Sequence, residues 1–175
     1  MNRKLSLIVC AMTFGVLLVA QPSNDNCNSP IKIGDITKYC SKAGEFTTVA
    51  ATPSGYGAST CWSNSPGDVW FAFRAFASDV NITIIGANVA GTPGGSLRTM
   101  QAALYSGVCG GTLQEINCGT DTRNAGILSL YEGGLVVGRD YLLRIDGRSA
   151  ATGTFQLCIN NYFPPARAEQ DCNRA

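Results

Sequence analysis

Residues 68–76 read DVWFAFRAF, and this stretch decides the fold. Its odd-numbered positions from Val69 to Ala75 are all apolar, whereas its even-numbered positions from Trp70 to Phe76 mix apolar and polar side chains. Side chains alternate between the two faces of a β-strand, so a period of two predicts a strand. One face of this strand should be fully buried and the other partly buried.

Further segments with strand character follow along the chain. Glycine, asparagine, aspartate and serine separate them, and these residues favour turns. No convincing helical period occurs after the N-terminal region. The whole pattern predicts an all-β fold, an antiparallel, jelly-roll-like β-sandwich of about nine strands that disulfides staple together. The segments are residues 79–87, 100–107, 112–118, 126–132, 140–147 and 153–160.

The N-terminal region has the layout of a secretory signal peptide. Arg3 and Lys4 precede an uncharged apolar run over residues 5–20, which ends on a small residue. An uncleaved membrane anchor is the alternative, but the run is shorter than the roughly 20 residues of a spanning helix. We expect a signal peptide at 1–20 and a sandwich domain at 21–163. The product should be secreted or held at the cell surface, with no membrane span after signal removal.

The charge balance excludes some partners. The chain has 13 basic and 12 acidic residues and no histidine. Removal of Arg3 and Lys4 with the signal peptide leaves the two signs nearly equal. No basic field is present to hold a phosphate backbone, so nucleic acid is not an expected partner.

The cysteine count suggests that the domain repeats. Of 8 cysteines in the chain, Cys10 lies in the signal peptide, which leaves an odd number. The sequence NDNCNSP at residues 24–30 resembles EQDCNRA at residues 169–175. Cys172 is therefore interpreted as the first cysteine of a possible second repeat, so residues 164–175 form a linker and the start of that repeat. The missing histidines and the lack of a Cys-x-x-Cys pair argue against a zinc site.

Six cysteines then belong to one domain, where an exported protein forms disulfides. Cys109 and Cys118 lie on the two sides of a glycine turn, which predicts that they pair with each other. The sequence does not fix the connectivity of the other four. We favour Cys27 with Cys158 and Cys40 with Cys61, because a sandwich often brings its first and last segments together.

Candidate ligand-binding residues are few. Trp62, Tyr56 and Tyr105 could stack on sugar rings if they are exposed on the sandwich. For Trp62 the alternative is packing over a nearby disulfide as a satellite of the core. Asp68 and Asp121 are candidate ligands for a structural calcium ion, together with loop carbonyls. No other cofactor is expected.

A catalytic site is not expected. The absence of histidine removes the usual Ser-His and Cys-His devices. Paired carboxylates like those of glycosidases remain possible, but each candidate lies beside glycine or at a strand end, where acids ordinarily serve turns. The candidates are Asp68, Glu115, Asp121, Glu132, Asp140 and Asp146.

An ordered set of motifs resembles a known type of domain. The set is NDNC at residues 24–27, CWSNSPGDVWFAF at 61–73, LYSGVCGGTLQEINC at 104–118, LVVGRDYLLRIDG at 135–147 and GTFQLCI at 153–159. It resembles a cysteine-rich β-sandwich domain, often repeated, in large secreted proteins of Bacteroidetes and related bacteria. More loosely, it is similar to bacterial pre-peptidase C-terminal domains and to jelly-roll carbohydrate-binding modules.

The resemblance implies an extracellular accessory domain that flanks enzymes, adhesins or surface proteins. One departure lies at residues 119–126, GTDTRNAG, where Asp121 stands in place of the acidic cluster of many relatives. This departure puts a calcium site in that loop in doubt. We therefore expect a non-catalytic module for adhesion or carbohydrate binding, whose partners are glycans or a surface protein and further domains of the same polypeptide. A structural spacer is the alternative, and a small secreted hydrolase is the least expected function.

Overall fold

The computed structural model describes residues 20–164. Residues 1–19 and 165–175 lie outside this part of the chain, and with them lie nearly all of the predicted signal peptide and Cys172. Within the described residues no helix is long and apolar enough to cross a membrane.

The described chain forms strands and contains no α-helix, which confirms the all-β prediction. One 3-10 turn, Arg148–Ala150, precedes the last strand. The long strands from β4 onward coincide closely with the segments expected from the sequence. The strands are β1 (Ile31–Ile33), β2 (Tyr39–Cys40), β3 (Phe46–Thr47), β4 (Asp68–Arg74), β5 (Asp79–Ile85), β6 (Met100–Gly107), β7 (Leu113–Thr120), β8 (Ile127–Glu132), β9 (Asp140–Gly147) and β10 (Thr154–Tyr162).

The strands form two sheets that pack face to face. Sheet A has the order β1-β4-β9-β6-β7, and sheet B has the order β2-β10-β5-β8, with β3 also paired to β10. From β4 to β10 every connection except the β6–β7 hairpin crosses between the sheets, which fits the jelly-roll-like prediction. The pairing is antiparallel throughout except at one edge, where β1 runs parallel to β4.

The main core lies between the two sheets. Val69, Phe71 and Phe73 on β4 point into it and are almost completely buried, as their alternation predicts. The Phe71 ring meets Phe46 edge to face at 4.8 Å between centroids and Phe155 at 6.2 Å. Such aromatic contacts add to the stabilisation from buried area alone.

A second, smaller core covers the outer side of sheet A. Trp70, Tyr105 and Leu142 extend outward from strands β4, β6 and β9, and Cys27 and Trp62 pack on them from loops. Both faces of the strand that decides the fold are therefore buried near its start. Only toward its end, at Arg74, does the outer face reach solvent.

The predicted pairing of Cys109 with Cys118 is wrong. Cys109 is bonded to Cys27, and Cys118 is bonded to Cys61. The physical reason is the position of each cysteine in the β6–β7 hairpin. Cys109 lies in the turn itself, whereas Cys118 lies far along β7, opposite Ala103. Both bridges instead tie outer loops to sheet A.

The other two predicted pairs, Cys27 with Cys158 and Cys40 with Cys61, are also wrong. Cys40 is bonded to Cys158, with 4.1 Å between the Cα atoms. These residues lie directly opposite each other on the antiparallel strands β2 and β10. An early strand, β2, does meet the last strand, β10, and the cysteine on β2 makes the bond.

Candidate functional site

A strap, residues 54–65, crosses the outer face of sheet A. The disulfide between Cys61 and Cys118 joins it covalently to β7. The side-chain amide of Gln101, on β6, donates a hydrogen bond to the Asn64 carbonyl at 2.7 Å. The strap is therefore held to sheet A by a disulfide at Cys61 and by a hydrogen bond at Asn64.

A buried ion pair lies beneath the strap. Arg144 donates from Nε to Asp68 Oδ2 at 2.9 Å, and both side chains are at most 1% exposed. Arg144 also donates to the Gly57 carbonyl at 2.7 Å. Its guanidinium carbon lies 4.9 Å from the Trp62 ring centre and 5.4 Å from that of Trp70. Arg144 therefore connects the strap, the acid and both tryptophans, with cation-π attraction to the rings.

The predicted sugar-stacking aromatics do not form an exposed platform. Trp62 and Tyr105 are only 7% exposed, so a ligand cannot stack on them. Tyr56 is 38% exposed, but its ring packs edge to face on Trp70 and its hydroxyl accepts a hydrogen bond from the Gly110 N–H. For Trp62 the alternative is confirmed, since the ring is a satellite of the outer core beside the disulfides.

Asp68 is not a calcium ligand in this arrangement. Its Oδ2 accepts hydrogen bonds from Arg144, Ser54 and Ser65, and its Oδ1 accepts one from Trp70 Nε1 at 2.8 Å. Both oxygens are therefore occupied by donors, and the guanidinium already supplies the counter-charge. Calcium requires oxygen ligands that can face the ion.

Asp121 also binds its own loop. Its two carboxylate oxygens accept the backbone N–H groups of Ala125 and Gly126 at 3.0 and 2.9 Å. These bonds hold the loop between β7 and β8 in a closed turn. Within residues 20–164 no three acidic, cysteine or histidine side chains come together in a way that could hold a metal ion.

The structure brings two of the candidate carboxylates together. Asp68 and Asp146 are opposite each other on β4 and β9, and both are buried beneath the strap. The pKa of Asp146 is raised to about 7, chiefly by burial and also by the charge of Asp68, against the Gly147 N–H, which lowers it. A cleft of about 190 Å³ borders Asp146.

The other acids lie apart from this pair. They make separate hydrogen bonds at the surface: Glu115 with Thr60, Glu132 with Asn117, and Asp140 with Arg74.

A larger cleft lies at one end of the sandwich, where three loops meet. These loops connect β5 to β6, β7 to β8 and β9 to β10. We call it the arginine cleft, and its volume is about 690 Å³. Its lining consists of Ala87, Val89, Arg98, Thr99, Asn124, Arg148 and Ser149.

Two arginines give the cleft its charge. Arg148 donates from Nη2 to Asn124 Oδ1, and its carbonyl accepts from Thr99 Oγ1 at 3.2 Å. The Nε of Arg148 is buried and has no hydrogen-bond partner among the described residues. Neither Arg148 nor Arg98 forms an ion pair with any acid in the described part of the chain. The cleft therefore has uncompensated positive charge.

Close backbone contacts hold the cleft loops in place. A Cβ atom on Gly86 would lie 2.0 Å from the Leu97 carbonyl oxygen. Gly126 has a φ of +68°, and a Cβ there would lie 2.3 Å from the Ala87 oxygen. Only glycine fits such close contacts. At Gly126 the positive φ also favours glycine, which has no side chain to clash. The loops are therefore built for one arrangement.

Sequence reasoning did not identify Arg98 and Arg148. The signal that would have brought these two arginines together is the order of the strands in the two sheets. Antiparallel strands that alternate in direction place every second connection at the same end of a sandwich, so the loops before β6 and after β9 had to meet. This argument needs the sheet order, which the sequence does not give.

No family model and no curated protein sequence matches the chain. Several solved structures are distantly similar to it, including the following two. One is the crystal structure of the Yersinia pseudotuberculosis-derived mitogen, with 16% sequence identity, a TM-score of 0.40, and coverage of 74% of this chain and 88% of that chain. The other is a GH26-CBM35 β-(1,4)-mannanase from Podospora anserina, with 14% identity, a TM-score of 0.37, and coverage of 74% of this chain and 29% of the mannanase chain.

Proposed function

We propose that the chain is a non-catalytic binding module of a secreted or cell-surface protein, and that it holds a glycan in the arginine cleft. The observation that carries the proposal is the cleft itself. Its volume of about 690 Å³ lies within the range of about 300–1,000 Å³ common for ligand sites. Loops on a rigid scaffold are also where proteins usually place binding residues.

The three disulfides support the extracellular part of the proposal. Such bonds persist in oxidising compartments and are rare in the cytosol. Two of them fasten the outer layer of sheet A, which would otherwise depend on a small core. A module with these bonds is suited to conditions outside the cell.

The positions of the acids support the non-catalytic part. Asp68 and Asp146 lie beneath the strap and do not line the arginine cleft. The residues that line the cleft include no carboxylate and no nucleophile other than the hydroxyls of Thr99 and Ser149. An acyl or glycosyl transfer would need a base beside such a hydroxyl.

A retention assay tests the proposal. The mature protein, exported through an oxidising compartment, would be run through gels that contain neutral or acidic polysaccharides. We expect retardation on at least one of them. Val89→Ala removes apolar surface from the cleft wall and should weaken the retention about threefold to fivefold. Val108→Ala, at an exposed valine in the β6–β7 turn, is the matched control and should behave like the unaltered protein.

Absence of retention on every polysaccharide would contradict the proposal. The structural spacer would then be the better candidate, and one observation favours it. Phe76, Val136, Val137 and Phe163 are exposed at the end of the sandwich opposite the cleft, near the end of β10. Exposed apolar side chains in such a position suit contact with another domain of the same polypeptide.

A further inference from the structure

We infer that the arginine cleft selects an anionic saccharide, that is, a glycan that carries carboxylate or sulfate groups. This inference rests on the proposed function and names the ligand class for the same site. The first observation is the lining, in which Arg98 and Arg148 are the charged residues. Arginine is suited to oxyanions because its planar guanidinium can donate two parallel hydrogen bonds.

Arg148 is held ready for such a ligand. Asn124 accepts from its Nη2, and Thr99 fixes its backbone through the carbonyl. Asn124 itself has a φ of 54°, in the left-handed region. The folded loop holds its backbone in this conformation and so places its side chain beside Arg148. Asn124 takes one N–H of the Arg148 guanidinium, Nε is buried away from the cleft, and Nη1 makes no hydrogen bond among residues 20–164. An oxyanion in the cleft would meet a positioned and unsaturated guanidinium.

Arg98 contributes an exposed charge on a fixed backbone. The preceding residue, Leu97, is fully buried, donates its N–H to the Thr154 carbonyl and accepts the Ala87 N–H. The Arg98 side chain is exposed at the cleft and has no acidic partner in the described part of the chain. It can therefore close on a bound anion without any change in the loop.

The positive charge of the cleft does not come from a strongly basic chain. The chain as a whole has a formal net charge of only +1. Two of its basic residues, Arg3 and Lys4, belong to the predicted signal peptide. Asp121, an acid of the neighbouring loop, directs both oxygens to backbone N–H groups within that loop. Ala87 and Val89 add an apolar wall, which suits the face of a sugar ring. Positive charge beside an apolar wall favours an acidic saccharide over a neutral one.

The test compares three arginine variants on defined polysaccharides. Polygalacturonate presents carboxylates, dextran sulfate presents sulfates, and unmodified dextran and mannan are neutral probes. Arg98→Gln should weaken binding of an anionic probe about tenfold, as expected for loss of one charge-assisted hydrogen bond, and Arg148→Gln should weaken it at least as much. Arg139→Gln removes the same charge from an exposed site at the other end and should change binding less than about twofold.

The two sources of negative charge are separated by pH. Binding through carboxylates should disappear when the buffer is lowered from pH 7 to about pH 3, whereas binding through sulfates should persist. A thermal unfolding curve for each variant checks that it is folded. Arg98→Gln alters an exposed side chain, so it keeps the test valid even if Arg148→Gln unfolds.

Three outcomes would overturn the inference. In the first, anionic probes bind equally well to Arg98→Gln and the unaltered protein. In the second, Arg139→Gln weakens binding as much as Arg98→Gln, which would indicate general charge attraction. In the third, neutral glycans are retained and no anionic probe is preferred, so the proposed function survives while the ligand class is wrong. Failure of every probe to bind would contradict the proposed function as well.

Discussion

The two faces of sheet A are buried in different ways. The inner face packs on sheet B through apolar side chains, and Phe71 is a fully buried member of that apolar core. The outer face is covered by the strap, and its centre is the ion pair between Arg144 and Asp68. Trp70, the neighbour of Phe71 in sequence, lies on this outer side and donates its indole N–H to Asp68. One strand therefore takes part in two cores.

The difference concerns what makes each face stable. Burial of apolar area stabilises the inner face and requires no specific partner. The buried ion pair on the outer face depends on its specific partners, because an unpaired buried charge is costly. We therefore expect substitutions on the inner face to act through lost volume and those on the outer face to act through lost pairing.

The largest effect is expected on the inner face. Phe71→Ala removes a fully buried ring that contacts Phe46 and Phe155, and it should lower the free energy of unfolding by about 4 kcal/mol. Urea denaturation followed by tryptophan fluorescence would measure this. Phe76→Ala is the control, because Phe76 lies at a partly exposed position after the same strand, and it should cost far less. Equal losses in the two variants would contradict the assignment of Phe71 to the main core.

A somewhat smaller effect is expected from the outer face. Asp68→Asn keeps the shape of the side chain but leaves the Arg144 charge buried without a counter-ion, at a cost of about 3 kcal/mol. The same denaturation assay would measure it. Asp140→Asn breaks the exposed ion pair with Arg74 and should leave the stability almost unchanged, because solvent screens that pair. If both variants were equally stable, the ion pair beneath the strap would not hold the outer layer.

The contrast between the two faces also explains what the sequence could predict. The inner face needs only alternation of apolar residues, which is visible in the sequence, and the strands from β4 to β10 were therefore found. The outer face depends on which side chains meet across strands. Arg144 and Asp68 are far apart in sequence, and their contact follows from the register between β4 and β9.

The disulfides and the arginine cleft were missed for a related reason. A tight turn between Cys109 and Cys118 suggested a local bond, but position along the hairpin placed them apart and gave each a partner from an outer loop. Trp62 was correctly weighed as a core satellite, yet nothing in its local sequence marked the strap that covers it. Arg98 and Arg148 come together only when three loops converge, and this depends on the whole strand order.

The smallest of these effects concerns Asp146, which is buried on the outer face beside Asp68. Burial raises its pKa to about 7 from an ordinary value of 3.8, so the folded protein binds this proton more tightly than the unfolded chain does. The stabilisation from this group is therefore complete below about pH 4 and is lost as the pH rises toward 7 and beyond. We expect the free energy of unfolding to fall by about 2 kcal/mol between pH 5 and pH 8 on this account.

Asp146→Asn tests this because asparagine is a close mimic of the protonated acid and does not titrate. The variant should lose most of the decline between pH 5 and pH 8 and should be more stable than the unaltered protein at pH 8. Asp140→Asn, which removes an exposed carboxylate, should keep the decline. Chemical denaturation at a series of pH values would measure all three proteins. An unchanged decline in Asp146→Asn would mean that Asp146 is already ionised in the folded protein at pH 5, and that the outer face tolerates two charged acids opposite each other on β4 and β9.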